Sequence, residues 1–237
     1  MNTVDDVMRE LERLGSEQTR KTFARHGAPL ENMYGVKVGD MKTIMKKIKG
    51  NQSLAMELYD TGNADAMYLA GLVADGSQMS KKNLETWAKN ASWQMISEYT
   101  VPWVASESQH GRELAMKWIK SKDPKMASTG WATYSAIVAI RPDDELNLSE
   151  LESLLTQVLE KVHQVHGRVA YSMNGFVISV GSYVQPLLMK AKDIAKKIGT
   201  VKVDMGDTAC KVPLATDYIA KVESMSKVGM KRKTSKC

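Results

Sequence analysis

An all-α protein built as a solenoid of helical repeats is the fold class this chain predicts, on three observations. Apolar residues recur at helical spacing along most of its 237 residues, as at Val4, Val7, Met8, Leu11 and Leu14. No segment keeps the apolar–polar alternation of a half-buried strand. Helix pairs open near Val38, Met79, Gly111 and Leu148, a repeat of roughly 35–40 residues that suits stacked HEAT-like hairpins. Periodicity by itself leaves a non-repeating helical bundle as the alternative.

The first helix is expected from Val4 to Arg25, ended by Gly27-Ala28-Pro29, with a loop through Tyr34-Gly35-Val36. Further helices are expected over Val38–Lys49, Ser53–Thr61, Ala64–Asp75, Ser80–Trp87, Gln94–Val104 and Gly111–Lys120. Pro124–Ile140, Leu148–His166, Val169–Gly181 and Val184–Ile198 complete the array. Boundary chemistry supports these spans. Asn63 and Ser80 stand where a side chain can cap a first turn, and Pro124 sits where a first turn accepts proline. Residues 1–198 read as one repeat domain, and 199–225 as a loop and a short helix, Pro213–Met225, packed on it. Residues 226–237 read as a basic disordered tail.

Composition narrows the function classes. With 43% hydrophobic and 25% charged residues the chain is globular, and no apolar run is long enough for a membrane span. The N-terminus lacks a basic and then apolar signal, so a cytoplasmic location is expected. Cys210 and Cys237 are too few for a disulfide framework; two free thiols are expected, a single bridge between them being the alternative. The net charge of +6 is uneven: 12 Lys/Arg face 5 Asp/Glu from Gln185 onward, while 21 face 22 before it. A tail holding Lys227, Lys231, Arg232, Lys233 and Lys236 suits either phosphate contacts or simple solvation.

Lys42, Lys46 and Lys49 share one face of the Val38–Lys49 helix, and that stripe could meet phosphates or only water. His163 and His166, three apart, could share a metal, but no nearby third ligand is evident, and two exposed histidines are the plainer reading. No metal site is expected. Trp87, Trp93, Trp103, Trp118 and Trp131 fall within 45 positions, as core or as a stacking surface. Phosphate-loop, dinucleotide, zinc-protease and nucleophile-elbow motifs are absent, which leaves the common enzyme classes unsupported.

Four stretches carry a more specific signal. These are Tyr34-Gly35-Val36 with the helix after it, Leu58–Ala70, Leu84-Glu85-Thr86-Trp87 with Ala91-Ser92-Trp93, and Met173-Asn174-Gly175-Phe176-Val177. In order and spacing they resemble the bacterial AlkD-like DNA alkylation repair glycosylases built from HEAT-like repeats, over about residues 34–185. The resemblance implies a right-handed all-α solenoid of HEAT/ARM-like repeats. It also implies a concave basic face that grips alkylated or otherwise damaged double-stranded DNA, as a monomer and without cofactor.

In that family a tryptophan is followed by Asp-x-x-Asp, and the second aspartate stabilises the cationic sugar as the glycosidic bond breaks. Here the stretch is Trp93-Gln94-Met95-Ile96-Ser97-Glu98. Trp93 matches the tryptophan, and Ser97 takes the place of the catalytic carboxylate. Glu98, one helical step on, is expected to point away from the site. Phe176 stands for a second tryptophan that supports the sugar, and Tyr134 for a basic residue. With Trp93 and the lysines Lys42, Lys46 and Lys49, these two are the expected DNA contacts, and Ser97 and Glu98 the candidate catalytic positions. All three replacements weaken glycosylase chemistry. A DNA-binding protein of repair type is therefore expected, with base excision in doubt. A non-enzymatic solenoid that holds a protein or peptide on its concave face is the alternative.

Overall fold

The computed structural model describes Met1 and residues 3–236, and among these it contains helices and no strands. The single helix expected over Val4–Arg25 is two, α1 (Val4–Leu14) and α2 (Glu17–Arg25). Gly15 makes the break: a Cβ there would lie 2.5 Å from the Tyr34 carbonyl oxygen. Ser16 then restarts the helix by accepting the Thr19 N–H.

α3 (Val38–Ile48) packs on α1 and α5. Four hairpins follow: α4 (Gln52–Asp60) with α5 (Ala64–Val73), α6 (Lys81–Asn90) with α7 (Val101–Glu107), α8 (Gly111–Ile119) with α9 (Pro124–Ile140), and α10 (Leu148–Lys161) with α11 (Gly167–Tyr183). The row closes with α12 (Leu188–Ile198) and α13 (Ala215–Ser224), and α13 packs on both α11 and α12. Three expected repeat starts fall at or within two residues of α6, α8 and α10. The start expected at Val38 is an N-terminal addition, because α3 packs on α1 and α5, and the first hairpin opens at Gln52.

The second helices of the hairpins, α5, α7, α9 and α11, lie side by side as one layer. An inner helix is covered on several sides, so its apolar residues need not form a stripe. All ten residues of α5 are buried. Close approach depends on small residues: a Cβ on Gly130 would sit 2.5 Å from the Ile119 amide nitrogen, where α8 and α9 touch. Two apolar clusters, one from Val7 to Trp118 and one from Ala115 to Ile219, meet on neighbouring faces of α8, Leu114 and Trp118 belonging to the first and Ala115 and Ile119 to the second.

The layer has one irregularity. The helix expected over Gln94–Val104 runs on to Glu107, and Ile96–Thr100 within it is a π-turn, the Val101 N–H reaching back five residues to the Ile96 carbonyl. Pro102 supplies a cause. It has no N–H to return to the Glu98 carbonyl, and its ring crowds that oxygen, which disfavours a regular α-turn here.

The described part of the C-terminal tail, residues 226–236, packs on the domain and is not the disordered segment the sequence suggests. The Arg232 N–H bonds the Ala139 carbonyl, the Lys231 ammonium meets the Val138 carbonyl at 2.9 Å, and Lys236 reaches the Ala74 carbonyl. Ser235 is buried, its hydroxyl bonding Ser106 and the Trp103 carbonyl, each at 3.0 Å. Two of its lysines thus cap the carbonyl ends of α5 and α9, a favourable use of cations that charge counting cannot reveal. Cys210 is exposed with a free thiol, and Cys237, its alternative bridge partner, lies outside the described residues. No helix among the described residues is long and apolar enough to cross a membrane.

Candidate nucleic-acid interface

Trp93 and the π-turn open onto a cavity of about 340 Å³, walled by Ser97 and Glu98, by Asp123, Lys125 and Ser128 at the start of α9, and by His166 and Arg168 at the start of α11. Trp93 is 9% exposed and packs on Phe23, ring centroids 5.6 Å apart. Gln94, where the repair motif has its first aspartate, donates to the His26 carbonyl and so fastens the end of α2 to the wall. Lys125 donates to the Lys89 and Ala91 carbonyls at 2.8 and 3.1 Å, capping α6.

Glu98 does not point away. The extra residue in the π-turn shifts the helix face, and both Ser97 and Glu98 line the cavity. The Glu98 side chain is only 4% exposed and is held by Arg168, whose Nε donates to Oε1 at 2.9 Å while Nη2 meets Oε2. Burial pushes the Glu98 carboxyl above its ordinary range, and Arg168 and Ser128 pull it partly back. For Arg168, the bonds and charge of Glu98 outweigh burial and raise its affinity for the proton. Whether its balance comes from Arg168 or from a proton, Glu98 offers no uncompensated negative charge.

Two expected DNA contacts lie elsewhere. Phe176 is fully buried, edge-on to Trp131 and Tyr134 with centroids 5.2 and 5.9 Å away. Tyr134 is 1% exposed, and its hydroxyl bonds Glu150, which also pairs with Arg112 at 2.8 Å. Both are core residues here, because an inner helix also presents faces to its neighbours and sequence position does not say which. Lys42 and Lys46 on α3 and Lys49 just past its end are exposed, away from buried Met41, Ile44 and Ile48, and none of the three lines the cavity.

Sequence reasoning missed Arg168 and undervalued His166. The two histidines have separate tasks: His163 Nε2 lies 2.9 Å from the Ile198 carbonyl, while His166 Nδ1 accepts the Arg168 N–H at the start of α11. A signal for Arg168 existed, since an arginine in the first turn of a helix opposes the helix dipole and calls for a carboxylate nearby. The partner, 70 positions earlier, was beyond local reading.

A layer of HEAT-like helices with an aromatic-walled cavity, its buried Glu98 paired with Arg168, is a scaffold of DNA-repair type. The family described as DNA alkylation repair enzyme matches residues 7–193, and the chain belongs to that family. It is 35% identical to an uncharacterized protein of Listeria innocua, covering 94% of this chain and 99% of that one, and 34% identical to an uncharacterized protein of Listeria monocytogenes, covering 96% and 100%. A solved structure at 39% identity, covering 99% of this chain and 100% of its own, superposes with a TM-score of 0.90. It is described as a new family of proteins related to the HEAT-like repeat DNA glycosylases with affinity for branched DNA structures.

Proposed function

We propose that this protein binds DNA at branch points and does not cleave glycosidic bonds. The Glu98–Arg168 pair carries the reading. Excision through a cationic sugar needs an anion aimed at the developing charge, and that stabilisation is usually the largest single contribution. Ser97 has no charge to offer, and the charge of Glu98 is already balanced. What the cavity retains is a shape, an aromatic wall at Trp93 and a rim of Lys125, His166 and Arg168. The affinity of the solved relative for branched DNA supports the choice of ligand.

A three-way DNA junction and a linear duplex of the same arms, titrated at low and moderate salt, test binding. The junction should bind more tightly, and both affinities should fall steeply with salt, as phosphate-dominated binding does. Release of 7-methylguanine from alkylated duplex should be undetectable. Robust excision, or no junction binding even at low salt, defeats the reading.

A further inference from the structure

Glu98 also lines a second cavity, of about 220 Å³, on the far side of the Arg168 pair. Its walls are Tyr99 and Tyr171, with Pro213 at one edge, and its floor is Ala132 and Ser135 of α9 and Gly175 of α11. The floor is low because these residues are small: a Cβ on Gly175 would meet nothing within 4 Å. Arg168 lies over the Tyr171 ring, 4.4 Å from its centroid, and Tyr99 is set edge-on to Trp103 at 6.3 Å. Glu98 thus lines both this cavity and the one at Trp93, while Arg168 lines the Trp93 cavity and stacks on Tyr171 of this one.

We propose that the Tyr99–Tyr171 cavity receives one unstacked nucleobase from a branched DNA. The inference rests on the DNA-binding reading above and adds a mode of selection to it. Aromatic walls accept the face of any base, and such stacking is worth about 1–3 kcal/mol per base. A continuous duplex keeps its bases stacked and paired, and extracting one costs a few kcal/mol, least where a base is already unpaired. A branch point interrupts stacking and weakens pairing at its centre, which lowers that cost. A recess sized for a small planar group therefore favours junctions over duplex, without reading sequence. The rings and the neighbouring arginine fit this occupant, since guanidinium and aromatic groups together hold single-stranded nucleic acid.

Gly175→Met tests this by filling the recess from an open position, and it should fold, since methionine is a better helix former than glycine. Tyr171→Leu removes a wall by a second route, and Tyr171→Phe keeps the ring. The readout is the ratio of junction to duplex affinity, together with the fluorescence of a 2-aminopurine placed at the branch. Gly175→Met and Tyr171→Leu should each lower the ratio by about fivefold or more, the equivalent of one stacked base; Tyr171→Phe should keep it. The wild-type protein should change the probe's emission, and Gly175→Met should not. The proposal is overturned if the two variants unfold cooperatively like wild type yet lower the ratio less than fivefold. It is equally overturned if a peptide ending in an aromatic residue, rather than the junction, is what Gly175→Met excludes. If the wild-type protein binds neither DNA, the DNA-binding reading itself falls; if it prefers junctions and the variants do too, only the cavity assignment fails.

Discussion

Two arginine–glutamate pairs cross between repeats among the described residues, and they differ in how deeply they are buried and in what else holds the carboxylate. Glu98–Arg168 joins the π-turn to α11 at the wall of the Trp93 cavity, with side chains 4% and 21% exposed. Glu150–Arg112 joins α10 to α8, with side chains 18% and 56% exposed, and Tyr134 donates to the same carboxylate. Burial raises the carboxyl of Glu98 more than Arg168 lowers it. At Glu150 burial also opposes ionisation, but the bonds from Arg112 and Tyr134 outweigh it, and the carboxyl falls below its ordinary range. The same ion pair is costly to break in one place and cheap in the other. Where it is costly it also lines the cavity at Trp93, next to Ser97.

Arg168→Met should show the largest effect. It leaves a buried carboxylate without a counter-charge, a change that typically costs about 3–5 kcal/mol. Thermal or denaturant unfolding at neutral pH would measure it, and adding Glu98→Gln should recover most of the loss. If the double variant is no more stable than the single one, the loss is one of packing and not of charge. Next comes Ser97→Asp, expected to destabilise by on the order of 2 kcal/mol, since it adds a second buried carboxylate beside Glu98. It should not restore excision of 7-methylguanine, because the new anion would share Arg168. Measurable excision by Ser97→Asp would show that the missing aspartate is the only defect.

The fold was legible where local chemistry sets it. Asn63 and Ser80 cap their helices where their types and positions suggested, and Pro124 opens α9. The site was legible at Trp93 and only in part beyond it. The π-turn that turns Glu98 inward is favoured by Pro102, a residue outside the recognised motif, and its consequence is a change of face that a uniform helical step cannot give. Tyr134 and Phe176 were misplaced because position in a family pattern does not distinguish the cavity side of an inner helix from the side that meets its neighbours. The tail was misread for a different reason: Lys231 and Lys236 look solvated in composition, but their partners are backbone carbonyls at helix ends.

The smallest effects belong to the outer pair, and they sharpen the comparison through pH. Tyr134→Phe should cost about 1 kcal/mol for one lost hydrogen bond, and Arg112→Ala less than about 1 kcal/mol for a largely exposed ion pair. Neither should alter DNA affinity, which would separate Tyr134 from binding. The two arginine variants should lose their deficits in different pH windows. Glu98 has a raised folded-state pKa, so the native state holds its proton more tightly than the unfolded chain; stability is fullest below the unfolded value and declines as pH rises through the folded one. Removing Arg168 raises that pKa further, so acidification should begin to rescue Arg168→Met above the ordinary carboxylate range. Glu150 is the reverse case: its stabilising contribution is present above the unfolded pKa and disappears as pH falls through the lowered folded one. The gap between wild type and Arg112→Ala should therefore close only below the ordinary carboxylate range. Unfolding midpoints of both variants from neutral pH downward would show two separate closures. A single shared window would mean that the two carboxylates have the same environment, and burial could not then be what distinguishes the site.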